Sequence, residues 1–318
     1  MADVILFDRD QVDHLDSLAD RPRRLGGTQL LWVDLERGET VEELADAFDL
    51  ADPTRMQLES AQGAPVFHDF GHYIHITTYA PRENDEDEDE LQPIECVVGQ
   101  NWVITAHDQP IPVLQEFADR VSGSGNTGEL DGPGFLAALL EWVLGAYTSA
   151  FERIEERLEE FDIQAMRGEG SDEDIELLVQ MRLQVGKLRR ALAAHRTPLV
   201  ALTHPELEAL GDNASGARFE SLFSRFEATL QEARDVREAI VGSFDVLIAR
   251  GSHQTNQIMK VLTLASVILL PGALLAGVMG MNFKVGLFED AWIFWVVIAT
   301  IILVATLTVA VAKLRSWI

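Results

Sequence analysis

VLTLASVILLPGALLAGVMGM, residues 261–281, and AWIFWVVIATIILVATLTVAVA, residues 291–312, are runs of 21 and 22 residues without a charged side chain. At about 1.5 Å per helical residue, each is long enough to cross the roughly 30 Å hydrocarbon layer of a bilayer. No earlier stretch reads as comparable. Only nine residues, NFKVGLFED (282–290), separate the two runs, so they form a hairpin with a short loop. Arg250 and Lys260 precede the first run and Lys313 and Arg315 follow the second, whereas the loop holds Lys284 against Glu289 and Asp290. That bias predicts both termini in the cytoplasm of a cell (inner) membrane protein. Trp292, Trp295 and Trp317 suit the two interfacial belts. Neither run contains an ionisable side chain, which argues against an intramembrane proton relay or a carboxylate cage for a bare cation.

Outside the hairpin the chain is acidic. Its 318 residues carry 25 Lys and Arg against 52 Asp and Glu, a net charge of −27. From Arg250 onward there are five basic and two acidic residues, leaving 20 and 50 in the first 249. Such a surface repels nucleic acid and attracts cations, although it also serves simple solubility. Cys96 is the only cysteine, so no intrachain disulfide forms, as suits a reducing compartment. Residues 1–10 have no basic n-region and do not read as a signal peptide.

The predicted fold class is α+β: an N-terminal cytoplasmic α/β domain with long helices, then a very long stalk helix continuing into the first of two C-terminal transmembrane helices. The boundaries read as 1–130 for the α/β domain, 131–255 for the helical region and stalk, and 256–318 for the membrane domain with its outer loop 282–290. Residues 28–35, 65–80 and 94–107 are rich in β-branched and aromatic side chains and read as strands. Thr40 and Glu43 resemble a capping box for a helix 41–50. The acidic run 84–90 (NDEDEDE) reads as a solvated hairpin loop. Residues 135–166 and 172–194 read as an antiparallel helix pair. From Ala217 a seam of Phe219, Phe223, Phe226, Leu230, Ala233, Ile240, Phe244 and Leu247, interrupted at Arg237, runs toward the first span. A helix from 217 to 281 would be on the order of 100 Å long and must lean on neighbours.

Stepping by three and four from Asn256 gives Met259, Thr263, Ser266, Leu270, Ala273, Gly277 and Gly280. This face is mostly small or mildly polar. Close helix packing and a pore lined by several copies both explain such a stripe, and spacing alone favours packing. Pro271 and Gly272 could kink the helix in mid-span.

Gly280-Met281-Asn282, followed by Phe283 and preceded by Asn256, Met259-Lys260, Leu262-Thr263, Pro271 and Gly277, resembles the CorA family of magnesium transporters, which includes the zinc-transporting ZntB branch. The likeness is firm over about residues 217–318. The N-terminal part resembles the family only in outline, through Trp32-Val33-Asp34-Leu35 and Asn101-Trp102-Val103-Ile104-Thr105. The resemblance implies a homopentamer in membrane lipid whose first span lines a central pore, and it turns the Asn256–Gly280 stripe into the pore wall. It implies a ring of Asn282 amides at the outer mouth, with Gly280 permitting a tight turn and Met281 packing beneath it. Asn256 would form an inner polar ring, and Met259, Leu262 and Leu270 are candidates for a hydrophobic gate. Mg²⁺ would be the transported ion and a candidate regulatory ion, and Asp245 is a candidate for a cytoplasmic metal ligand.

The loop departs from the family's usual acidic stretch after Gly-Met-Asn. Met279 stands where an aromatic residue is frequent, and Lys284 near the mouth opposes cation collection. Zn²⁺, Co²⁺ or Ni²⁺ transport therefore stays open, as does a membrane-tethered metal sensor or scaffold. His68, His72 and His75 lie close in sequence, but in a single strand 68 and 72 share a face while 75 points away. An enzyme is not expected: the sequence has no Gly-rich phosphate loop and no His-x-x-x-His pair on a helix.

Overall fold

The computed structural model describes residues 3–8, 11–22, 24–37, 41–60, 65–82, 90–123, 131–167, 172–204, 213–281 and 291–314. The chain divides into two compact units, Met1–Ser243 and Phe244–Ile318.

The first unit is built on a seven-stranded sheet of order β2-β1-β3-β7-β6-β5-β4. Its strands are β1 (Asp3–Asp8), β2 (Gln11–Leu15), β3 (Gln29–Glu36), β4 (Phe67–Asp69), β5 (Tyr73–Arg82), β6 (Glu90–Gly99) and β7 (Trp102–His107). Among the described strands β3 and β7 alone pair in parallel, and the other five pairings are antiparallel. The helices of this unit are α1 (Val41–Phe48), α2 (Asp52–Glu59), α3 (Pro112–Gly123), α4 (Gly132–Arg167), α5 (Asp172–Ala194), α6 (Arg196–Leu202) and the first part of α7 (Asn213–Met279). The α+β class expected from the sequence is what the chain adopts.

Several local expectations change. The stretch 65–80 is two strands, because Gly71 turns the chain with φ 84 while its N–H donates to the Asp69 carboxylate at 2.8 Å. The stretch 94–107 is likewise a hairpin that turns around Gly99 to Asn101. The first strand pair, β1 and β2, was hidden by its length and by Asp3 and Asp8 at the ends of the apolar run. Thr40 and residues 84–89 lie outside the described residues; Glu90 opens β6.

Both faces of the sheet are covered, so its central strands are apolar at nearly every position. On one face Leu31, Val33, Leu35, Val97, Ile104 and Ala106 join Leu44 of α1 and Leu58 of α2 in one core. On the other, Trp32 meets Phe117 of α3 and Phe135 of α4 at ring-centroid distances of 6.1 and 5.1 Å. The indole N–H donates to Thr105 Oγ1 at 2.9 Å, which satisfies the one polar atom that burial would otherwise strand. Helix α4 begins hard against the β6–β7 turn. The Gly132 N–H donates to the Gln100 carbonyl at 2.8 Å, and a Cβ there would stand 2.0 Å from the Gly99 carbonyl oxygen. Only glycine permits that approach.

By length and composition Gly132–Met166 also qualifies as a membrane span, contrary to the expectation that nothing before residue 261 compares. Its apolar side chains are spent on the protein instead. Phe135, Leu136, Leu139, Leu140, Tyr147 and Phe151 are all buried.

The seam of α7 is half a step out of phase with the sequence reading. Phe219, Phe226, Leu230, Ala233 and Ile240 are buried as expected, but Leu222, Thr229, Val236 and Ser243 are buried as well and set the alternate positions of the row. Phe223 and Phe244 are only half-buried. The resulting row steps three and four without a break, so Arg237 interrupts nothing; Val236 holds its place. Arg225 Nη1 on α7 pairs with Glu141 of α4 at 2.6 Å, and Glu227 pairs with Arg196 of α6 at 3.0 Å.

His195, at the junction of α5 and α6, ties this helical layer to the sheet. Its Nε2 accepts the Tyr79 N–H at 2.8 Å and its Nδ1 lies 3.3 Å from the Leu192 carbonyl, so the ring is held neutral with its proton on Nδ1. Burial pushes its pKa down to about 4. Because the folded value lies below the unfolded value near 6.5, this contribution to stability is complete above pH 6.5. It is lost as the pH falls toward 4, about 3 kcal/mol in all. Thermal unfolding followed between pH 7 and 4 should show the loss. The variant His195→Gln should flatten that part of the profile, and an equally steep profile in the variant would assign the acid sensitivity elsewhere.

Candidate functional site

In the second unit α7 continues to Met279 and α8 (Ala291–Leu314) follows. The helix runs through Pro271 without interruption. Its end is tight but not left-handed: the Gly280 N–H donates to the Ala276 carbonyl at 3.0 Å and the Met281 N–H to the Val278 carbonyl at 3.2 Å. Gly280 has no positive φ, so the sharp turn expected there is simply the last helical turn tightening. A Cβ on Gly280 would sit 3.4 Å from the Ala276 carbonyl, an ordinary contact. Met281 is 51% exposed in the single chain. Asn282 and the loop to Asp290, with Lys284, lie outside the described residues.

Two sides of α7 differ in this unit. One side meets α8: a Cβ on Gly272 would touch Ile301 Cγ2 at 3.4 Å. A cleft of about 360 Å³ lies between Thr263, Leu264 and Val267 of α7 and Leu307, Thr308 and Val311 of α8. The other side carries the stripe of the sequence reading. Asn256, Met259, Leu262, Leu270, Ala273 and Gly277 are exposed in the single chain, and Ser266 is half-exposed. Thr263, also exposed, borders the cleft and so sits at the flank of the stripe rather than its centre. Ser266 Oγ donates to the Leu262 carbonyl at 2.9 Å, which leaves its oxygen free to accept hydrogen bonds from water. Trp292 and Trp295, at the start of α8, are exposed, as interfacial anchors would be.

The first unit gathers its ionisable groups elsewhere. Register places His68 directly opposite His75, so these two share a face, which reverses the single-strand expectation. They do not converge on a ligand. His75 is fully buried with Nε2 3.1 Å from Glu95 Oε2, whereas His72 Nε2 faces the Asp49 carbonyl at 3.2 Å. Glu95 also accepts from Thr77 Oγ1 at 2.6 Å and from Arg37 at 3.4 Å, and Arg37 reaches Asp108 at 3.1 Å. On the opposite face, Asp34 accepts from Thr105 Oγ1 and lies 3.2 Å from His107 Nε2. Burial lowers the His107 pKa, but the Asp34 carboxylate outweighs it and holds the value above the ordinary one. The sequence reading named neither cluster. The available signal was Glu95 inside the apolar run Ile94–Val98, in a strand with no solvent face.

Where α4 meets α7, burial and then Glu152, Glu155 and Asp235 raise the Glu232 pKa. Asp245 is exposed on α7. Among the described residues no three His, Cys, Asp or Glu side chains are placed to hold a metal ion.

Residues 27–313 match the description "CorA-like Mg2+ transporter protein". The chain belongs to that family. Curated relatives include the cobalt/magnesium transport protein CorA of Thermotoga maritima, 20% identical over 296 residues covering 90% of this chain and 83% of the relative. The magnesium transport protein CorA of Escherichia coli is 23% identical over 268 residues, 80% and 81% of the two chains. Among solved structures, the complete CorA magnesium transporter of Methanocaldococcus jannaschii superposes with a TM-score of 0.83 at 21% identity, over 99% of this chain and 98% of that one. The ZntB cytoplasmic domain of Vibrio parahaemolyticus superposes with a TM-score of 0.63 at 13% identity, over 80% of this chain and all of the other. The CorA fold is thus present from the sheet to the second apolar helix. CorA proteins form a family of transporters, not of enzymes, and the two apolar helices make this a membrane protein.

Proposed function

We propose that this chain is one subunit of a homopentameric channel that takes hydrated Mg²⁺ into the cell, with both termini cytoplasmic. The observation that carries the proposal is Gly280-Met281-Asn282 at the end of α7 in a CorA-family chain. Relatives at 20–23% identity bear the names of magnesium or cobalt/magnesium transporters. Five copies of α7 turn the stripe from Asn256 to Gly277 into the wall of a water-filled path. Asn256 supplies an inner polar ring, and Met259, Leu262 and Leu270 supply constrictions that close by dewetting.

Mg²⁺ prefers six oxygen ligands and sheds water reluctantly. A collar of Asn282 carboxamide oxygens accepts hydrogen bonds from the coordinated waters without stripping them. A carboxylate collar would hold the ion longer and slow its release. The face of α7 opposite α8 suits this role because most of its described side chains are exposed in the single chain.

A second reading is transport of Zn²⁺, Co²⁺ or Ni²⁺ through the same path: a ZntB cytoplasmic domain has a similar fold, and Lys284 stands in a loop that departs from the family's acidic stretch. A membrane-tethered sensor is the other alternative. Uptake of Mg²⁺ by the purified chain in liposomes, with Zn²⁺, Co²⁺ and Ni²⁺ as competitors and with or without a pH gradient, separates the three. Mg²⁺ entry that resists the other ions and ignores the gradient is expected. Preferential Zn²⁺ entry supports the second reading, and no ion entry of any kind supports the tether.

A further inference from the structure

Helices α4 and α5 pack against each other across a link of only four residues, 168–171, so they run antiparallel. Their inner rows, Phe151 to Ala165 on α4 and Leu178 to Leu192 on α5, are buried. Among the described residues the charged side chains of their outer rows make no ion pair within the chain, Glu152 facing only the like charge of Glu232 on α7, and the two rows differ in character. The outer row of α4 reads Glu152, Glu159, Ile163 and Met166, with Met166 75% exposed. That of α5 reads Ile175, Val179, Arg182 and Arg190, with Leu183 between them at 66% exposed. Exposed apolar side chains grouped in this way mark contact surfaces rather than ordinary solvated faces.

The two outer rows are complementary in one register. Laid antiparallel, Met166 falls opposite Ile175, Ile163 opposite Val179, Glu159 opposite Arg182 and Glu152 opposite Arg190. Both helices rise by the same amount per residue, so all four pairs meet together. Within one chain α4 and α5 already face each other through their inner rows at nearly the same pairing level. The second helix pair therefore belongs to another copy lying side by side at the same height. Copies inserted in one membrane through the same C-terminal hairpin share an orientation, and a head-to-tail contact between them closes into a ring.

We infer that the outer row of α4 docks on the outer row of α5 of a neighbouring copy. This rests on the homo-oligomeric reading above and adds which surface joins the copies outside the membrane. The charge pattern gives the reason. A domain with 50 acidic and 20 basic residues repels its own copies, and the Arg182–Arg190 segment is a place where a second copy meets attraction. Arg190 is already drawn along this face: a Cβ on Gly186 would lie 3.4 Å from its Nη1.

The test uses two full-length chains with different tags, one carrying Glu152→Cys and the other Arg190→Cys, co-expressed and treated with a short bis-maleimide. Cys96 is fully buried and its thiol pKa is pushed up by burial, so it does not compete. An adduct joining the two tags is expected in the mixture and not with either variant alone. In a parallel pair, Met166→Cys and Ile175→Cys, adding Glu152→Arg or Arg190→Glu should each lower the yield about fivefold, and both together should restore it. No mixed adduct in a preparation that sediments as an oligomer overturns this interface and leaves the pore reading standing. A preparation that sediments as single copies overturns both.

Discussion

Replacing Asn282 by alanine should lower Mg²⁺ uptake by the purified chain in liposomes to the level of protein-free vesicles. The proposed collar would have no covalent grip on its ion and would work by accepting hydrogen bonds from coordinated water, each worth about 1 kcal/mol net. Removing one acceptor from every copy removes several at once, so flux should fall by about two orders of magnitude. Asn282→Asp keeps the oxygen and adds charge, so ions should be captured at lower concentration and released more slowly, with a lower maximal rate. Chain length and span composition are unchanged in both variants, so the sedimentation of the oligomer should not move. Undiminished uptake by the alanine variant at unchanged oligomer size would sink the collar. It would leave the membrane hairpin itself untouched.

The second large effect concerns stability. Glu95→Ala should destabilise the chain by about 3–5 kcal/mol, because it strands the buried groups that the carboxylate now satisfies. The Arg37 and Glu95 side chains are 6% and 2% exposed, and His75 is fully buried, so water cannot replace the lost partner. The cluster has no slack: Arg37 Nε and His75 Nδ1 already lack a protein partner among the described residues. The thermal midpoint of the detergent-solubilised chain should fall by roughly 10 °C. Glu95→Gln, which keeps an acceptor for Thr77 and His75 but not the charge facing Arg37, should lie between. A shift of a degree or less for the alanine variant would mean that Arg37 relaxes onto Asp108 and the cluster is dispensable.

The membrane hairpin and the long helices were legible because their signals are long: charge-free runs, and a three-and-four spacing sustained over many turns. The phase of the α7 seam was less so. Phe223 and Phe244 drew the eye as large apolar residues, while the row that packs uses Thr229 and Ser243, small polar residues that tolerate burial by donating to their own helix. The sheet was blurred where turns are brief. Gly71 and the Gly99–Asn101 segment each reverse the chain inside a run that alternates like one strand. The candidate site was legible only as a motif. Position along the chain set Gly280, Met281 and Asn282 at the end of a span, but no spacing rule orients an amide toward an axis shared with other copies. The Glu95 cluster was missed for a different reason. Arg37 and Glu95 are 58 residues apart, and strand order, which sequence spacing does not reveal, is what brings them together.

Helix α4 leaves the ribosome well before the true spans, yet it is apolar enough to be taken for one. The sheet that buries much of its greasy side has been made by then, since β7 ends at His107 and α4 starts at Gly132. The order of synthesis thus offers α4 a protein surface before any bilayer can compete for it. A rearranged gene that placed α4 ahead of the sheet would hand the insertion machinery a third hydrophobic segment and an inverted molecule.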